Sequence, residues 1–149
     1  MGLKSRRKGK AFERAIAAEM RKFWPEALIR RASQGERADN SDVFVEYGPE
    51  FLRTLWLELE DAIDPNPHKK LAQAEEDVAR VSKIVGSPTR YPIVIWHKIR
   101  ARTIFVAMRA KIFDYLRGHP QLPSVVTSDL MVTIELPDFL AILSHMTTV

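Results

Sequence analysis

Three carboxylates in the stretch 42–60 stand where oxygen ligands for a divalent cation would be needed: Asp42, then Glu58 and Glu60 two residues apart. In an extended strand successive side chains alternate faces, so Glu58 and Glu60 share one face while Leu55, Leu57 and Leu59 share the other. The leucines are expected on the core. The glutamates, roughly 6.6 Å apart along the strand, can flank one cation if Asp42 arrives from a neighbouring strand. Trp56 lies on the glutamate face, and a face open to water seldom carries tryptophan. The carboxylates are therefore expected in a partly covered cleft, where they must find cations or donors. The chemistry is cation-assisted phosphodiester hydrolysis, in which the ion generates hydroxide and neutralises charge on the attacked phosphate. Magnesium suits it, because it takes carboxylate oxygens and retains waters. A solvated polar face is the plain alternative for this strand alone.

Composition narrows the choice of ligands. The 149 residues include no cysteine, which removes disulfides, thiolate zinc sites and cysteine nucleophiles together. His68, His97, His119 and His145 are too dispersed for a two-histidine zinc helix. No apolar run approaches the roughly 20 residues that span a bilayer, and the basic start lacks the apolar segment of a secretory signal. A cytoplasmic protein without a membrane partner is expected. Charge is strongly partitioned: residues 1–37 carry 11 basic and 4 acidic side chains, 38–80 carry 4 and 11, and 81–149 carry 8 and 4. An acidic centre between basic flanks suits a cation site set in a surface that attracts polyanions.

The elements that must position these residues follow from periodicity and punctuation. Residues 1–10 form a basic arm with Lys4, Arg6, Arg7, Lys8 and Lys10, expected to be flexible and to neutralise phosphates without reading sequence. A helix is expected over 9–24, where Phe12, Ile16, Met20 and Phe23 recur before Pro25. Strands follow at 27–31, 42–45 and 51–60. Asn66 caps a helix starting at Pro67 and running to Gly86, with Leu71, Ala74, Val78, Val81 and Val85 on its apolar face. The run at 91–97 reads as a strand covered on both faces, 102–108 as its hairpin partner, 110–116 as a short helix and 119–123 as a break. A strand at 130–135 and a helix from Pro137 to 144 complete the chain. The segments 105–116 and 131–143 look alike, each a strand then a helix, without making a repeat array.

That order predicts one α/β domain with a mixed sheet flanked by helices. The helix from Pro67 is long enough for a crossover, so 51–60 and 91–97 should pair in parallel, with the carboxylate strand central.

The segments GKAFERAIAAEM, IRRASQ, NSDV, LELE and LAQAEEDV occur in that order. Together they resemble the PD-(D/E)xK nuclease superfamily, most closely its small phage-encoded endonucleases similar to Holliday junction resolvases. The resemblance covers roughly 5–110, with 110–149 as a C-terminal extension. It implies a restriction-endonuclease-like α/β fold, a DNA substrate, branched forms included, Mg²⁺ with Mn²⁺ as substitute, and the host cytoplasm of a phage-encoded protein. A homodimer is expected if junctions are cut symmetrically.

By the resemblance, Glu13 is the helix-borne acid, Asp42 and Glu58 are the metal ligands, and the backbone carbonyl of Leu59 also contributes. Gln73 matches the glutamine of the following helix, and Arg31 and Gln34 lie near the phosphate. The sequence departs from the pattern at Glu60, where lysine is usual. Three alternatives follow. Glu60 serves as base and further metal ligand; Lys69 or Lys70 supplies the cation from the helix; or the protein binds DNA without cutting it, through the arm, Arg30, Arg31, Lys98, Arg100 and Arg102. A non-enzymatic structural or assembly protein is the third class.

Overall fold

A computed structural model describes residues 3–33, 35, 40–84, 86, 90–118 and 130–147, with the backbone alone at 3–8 and 147. Its elements run α1 (Leu3–Phe23), β1 (Leu28–Arg31), β2 (Val43–Tyr47), α2 (Glu50–Arg53), β3 (Leu55–Ala62), α3 (Pro67–Ser82), β4 (Tyr91–Lys98), β5 (Ile104–Arg109), α4 (Ala110–Leu116), β6 (Met131–Glu135) and α5 (Leu136–Thr147). The fold is mixed α/β. Six strands form one sheet in chain order, antiparallel throughout except for β3 and β4, which pair in parallel from Leu55↔Tyr91 to Ala62↔Lys98. The expected α/β class, the α3 crossover and an interior position for the carboxylate strand are all present, in an arrangement consistent with a restriction-endonuclease-like fold.

The alternation along β3 decides the layering. Leu55, Leu57 and Leu59 enter the main core with Ile16 and Met20 of α1 and Phe139 and Leu143 of α5. Trp56 points the other way, under Ala74, Val78 and Val81 of α3. Leu71 of α3 packs on Val94 and Ala107 of the neighbouring strands. The sheet is thus sandwiched, with α1, α4 and α5 on one face and α3 on the other. Two hydrogen bonds from Arg109 to Glu75, 2.7 and 3.1 Å long, strap α3 to β5.

Helix α3 is punctuated as expected at its start. Asn66 is the N-cap, its side-chain oxygen accepting from Lys69 N–H at 3.1 Å, and Pro67 occupies the first turn, where an amide hydrogen would have no intrahelical acceptor. Replacing Asn66 with alanine should cost about 1 kcal/mol in chemical denaturation; an unchanged midpoint would show that the cap contributes nothing.

Three boundaries differ from expectation. The helix expected from Gly9 begins at Leu3, so the backbone of the arm from residue 3 onward is helical and continuous with α1; the sequence of 3–8 contains neither proline nor glycine to stop the element at the start of its apolar stripe. The strand expected from Phe51 begins at Leu55. Glu50–Arg53 instead forms a helical turn that buries Leu52, with Thr54 Oγ1 donating to Phe51 O at 2.6 Å. Helix α3 ends at Ser82 rather than reaching Gly86. The break expected at 119–123 lies outside the described residues. The segment beyond 110 belongs to the same sheet, since β6 pairs with β5. Among the described residues no helix is long and apolar enough to cross a membrane.

Candidate active site

The β2–β3 register builds the site. Val43 pairs antiparallel with Leu57, which sets the preceding Asp42 opposite the following Glu58. Two hydrogen bonds fix Asp42 at the start of its strand: Ala32 N–H donates to Asp42 O at 2.8 Å, and the buried Ser41 hydroxyl donates to Val43 O at 2.6 Å. The Asp42 side chain then reaches across, its Oδ2 accepting from Leu59 N–H at 2.9 Å. What Leu59 supplies here is its N–H, while its side chain lies in the core.

Glu58 is held from two sides. Trp56 Nε1–H, on the same face of β3, donates to Glu58 Oε1 at 2.8 Å, and the Glu58 carboxyl also hydrogen-bonds the Asp42 carboxyl. Burial is the main reason that the Glu58 pKa is pushed up to about 8, and the Asp42 charge and their hydrogen bond push in the same direction. The Trp56 donor and the positive charge of Lys70 on α3 pull it back only in part. Two facing carboxyls, one of them holding a proton that bonds to the other, are a donor set suited to a hard divalent cation, which can take the proton's place. Magnesium is commonly held by one or two carboxylates, with waters completing its shell.

No family model, curated protein or solved structure matches this chain.

The other expected site residues are dispersed around this pair. Glu60 accepts a hydrogen bond from the backbone N–H of Asn66, so its carboxylate steadies the approach to α3. Glu13 is buried on α1, with Arg31 Nε 3.6 Å from its Oε2. This is an ion pair without a hydrogen bond from Arg31 Nε. Gln73 is exposed on α3, and Lys70 is half-buried. Among the described residues no three Asp, Glu, His or Cys side chains form a group that could hold a metal. Four converging carboxylates are therefore not what this structure presents; it presents the Asp42–Glu58 pair.

Of the expected DNA contacts, Arg30 donates to Glu46 at 2.9 Å and lies 4.7 Å over the Phe44 ring. Lys10, Lys98, Arg100 and Arg102 are exposed. Gln34 and the side chains of Lys4, Arg6, Arg7 and Lys8 lie outside the described residues.

Two features of the structure lie beyond the residues expected from the sequence. The Trp56 donor was open to inference, because residues two apart on a strand share a face. The second is Asp61–His97, adjacent in the parallel register. His97 Nδ1 lies 2.8 Å from Asp61 Oδ1, and Nε2 lies 2.6 Å from Ala101 O. Both partners are acceptors, an arrangement that favours the ring with a proton on each nitrogen. Its pKa is raised, chiefly by the Asp61 hydrogen bond and against the opposing effect of burial. A raised histidine pKa stabilises the fold fully below the unfolded value near 6.5, and this contribution is lost as pH rises through the folded value. NMR titration should place the His97 pKa above the ordinary value and find it lowered in Asp61→Asn; coincident curves would contradict the pairing.

Proposed function

We propose that the protein is a divalent-cation-dependent DNA endonuclease of the PD-(D/E)xK type, with Mg²⁺ as the natural ion, Mn²⁺ as substitute and branched DNA such as Holliday junctions among its substrates. The observation that carries this reading is the register that sets Asp42 opposite Glu58 on adjacent strands, one partly covered carboxyl against the other. Asp42 and Glu58 would hold the cation. When bound, the ion supplies charge neutralisation at the phosphate and an activated water. Trp56 fixes one oxygen of Glu58, leaving the carboxyl oriented toward Asp42. With Glu60 engaged at Asn66, Lys70 is the residue whose positive charge acts on Glu58, and it takes the role that the motif lysine has in the resembling nucleases.

The surroundings support a polyanionic substrate. Strand β2 starts at Val43 opposite Leu57, and β3 runs on past that point to Ala62, which pairs with Lys98 beside the β4–β5 turn. Phe12 of α1 stacks on His97 at that end, with ring centroids 5.9 Å apart. The basic β4–β5 turn and the N-terminal half of α1 therefore share one end of the sheet, and Glu58 lies four residues back from it along β3. Exposed cations there favour phosphate backbones independently of sequence. A homodimer would let two such sites cut a symmetric junction.

Incubation of the protein with labelled branched and linear DNA in Mg²⁺ or Mn²⁺ tests the proposal. Nicked product is expected. Salt-sensitive binding without any nicking would leave a DNA-binding protein that does not cut, and absence of both would leave a structural or assembly role.

A further inference from the structure

An open cleft of about 340 Å³ lies between α1 and the β4–β5 turn. Ala11, Phe12, Ile99 and Ile104 give it apolar walls. Three charged groups also line it, and two of them, Asp61 and His97, are paired with each other. The third is Arg100.

Arg100 has φ +75°, the left-handed region that a side chain makes costly. Glycine or asparagine ordinarily fills such a turn position. An arginine kept there despite the strain points to use of its side chain. The turn beneath it is rigid: Ile99 N–H donates to Ala62 O at 2.9 Å, Ala101 N–H donates to Lys98 O at 2.9 Å, and His97 Nε2–H donates to Ala101 O. Exposed Lys10, Lys98 and Arg102 surround this turn or the neighbouring part of α1. The site thus offers an apolar slot of small-molecule size, with one preorganised cation at its lip and further positive charge outside. Its complement is a flat, largely apolar group attached to an anion, continuous with a polyanion.

We infer that this cleft seats one unpaired nucleotide of DNA, with the base among Phe12, Ile99 and Ile104 and the adjoining phosphate on Arg100. The inference rests on the DNA-binding reading above and goes further, by giving a reason for branched or otherwise imperfect substrates to be preferred. A base within an intact duplex has to leave its stack to reach the cleft, whereas an unpaired base at a bulge or at an imperfect branch point does so at lower cost.

The test is a competition by fluorescence anisotropy, without divalent metal, among three DNAs of one sequence: a perfect duplex, a duplex with a single-nucleotide bulge, and the same bulge made abasic. The base-bearing bulge should bind roughly tenfold tighter than either of the others. Arg100→Gly suits the backbone at φ +75° and should fold at least as stably as the wild type. Ala11→Trp, at an exposed α1 position on the cleft wall, fills the slot. Both should bring the preference close to one. Equal binding of base-bearing and abasic bulges, or a preference retained in both variants, would overturn the assignment while leaving DNA binding intact. Failure of all three DNAs to bind would overturn it together with the DNA-binding reading.

Discussion

Replacing Asp42 with asparagine is expected to lower DNA cleavage by at least about a hundred-fold while leaving the fold in place. The substitution separates the two things that Asp42 does. Its Oδ2 accepts from Leu59 N–H, and its backbone carbonyl accepts from Ala32 N–H. Asparagine keeps an amide oxygen for the first bond and leaves the second untouched. What it removes is the negative charge facing Glu58, and with it half of the donor set for a cation. The thermal midpoint of the metal-free variant should therefore stay within a few degrees of wild type or rise, since a charge that disfavours ionised Glu58 has gone. Cleavage that persists in a folded Asp42→Asn protein would place the chemistry elsewhere.

The second large effect couples pH, cation and stability through Glu58. Its folded pKa of about 8 lies above the ordinary 4.5, so between those values the folded chain holds a proton that the unfolded chain has released. The stabilisation is complete below pH 4.5, declines as pH rises and is lost above about 8. A divalent cation competes with that proton and should bind more tightly at pH 9 than at pH 6. At a concentration a hundred times its dissociation constant it adds about 2.7 kcal/mol, a rise of roughly 5–10 °C for a chain of this size. Calorimetric scans at the two pH values, with and without Mg²⁺, read both effects. Glu58→Gln should flatten the pH profile and remove the cation response; wild-type behaviour in that variant would contradict the role given to Glu58.

Much of the scaffold was legible because local and tertiary signals agreed. The parallel pairing of β3 with β4 followed from a well-capped helix of crossover length between two apolar strands, and Asn66 and Pro67 marked its start. Strict alternation in Leu55–Leu59 announced which face would carry Glu58, and Trp56 announced that this face would be covered. The start of β3 is not marked in the sequence, because Phe51 and Leu52 read equally well as strand or helix, and burial of Leu52 within a helical turn is a tertiary outcome.

Within the site, the pairing of Asp42 with Glu58 was foreseeable as a juxtaposition of strands, but its register was not written in either strand alone. Glu60 shows the limit of a periodicity argument. It shares a face with Glu58, yet the loop that delivers Asn66 brings a backbone N–H to its carboxylate and commits it there. Glu13 was likewise placed by resemblance, and its packing against Arg31 depends on where α1 crosses the β1 edge. Asp61 and His97 became partners only once the β3–β4 register was set.

The central claim is that Asp42 and Glu58 together hold one divalent cation. Titration of the protein with Mn²⁺ at pH 8.5, followed by electron paramagnetic resonance of the free ion, tests it most directly. The wild type should remove one equivalent of Mn²⁺ from solution, and the folded Asp42→Asn/Glu58→Gln variant none. Equal uptake by the two proteins, or no uptake by either, would contradict it.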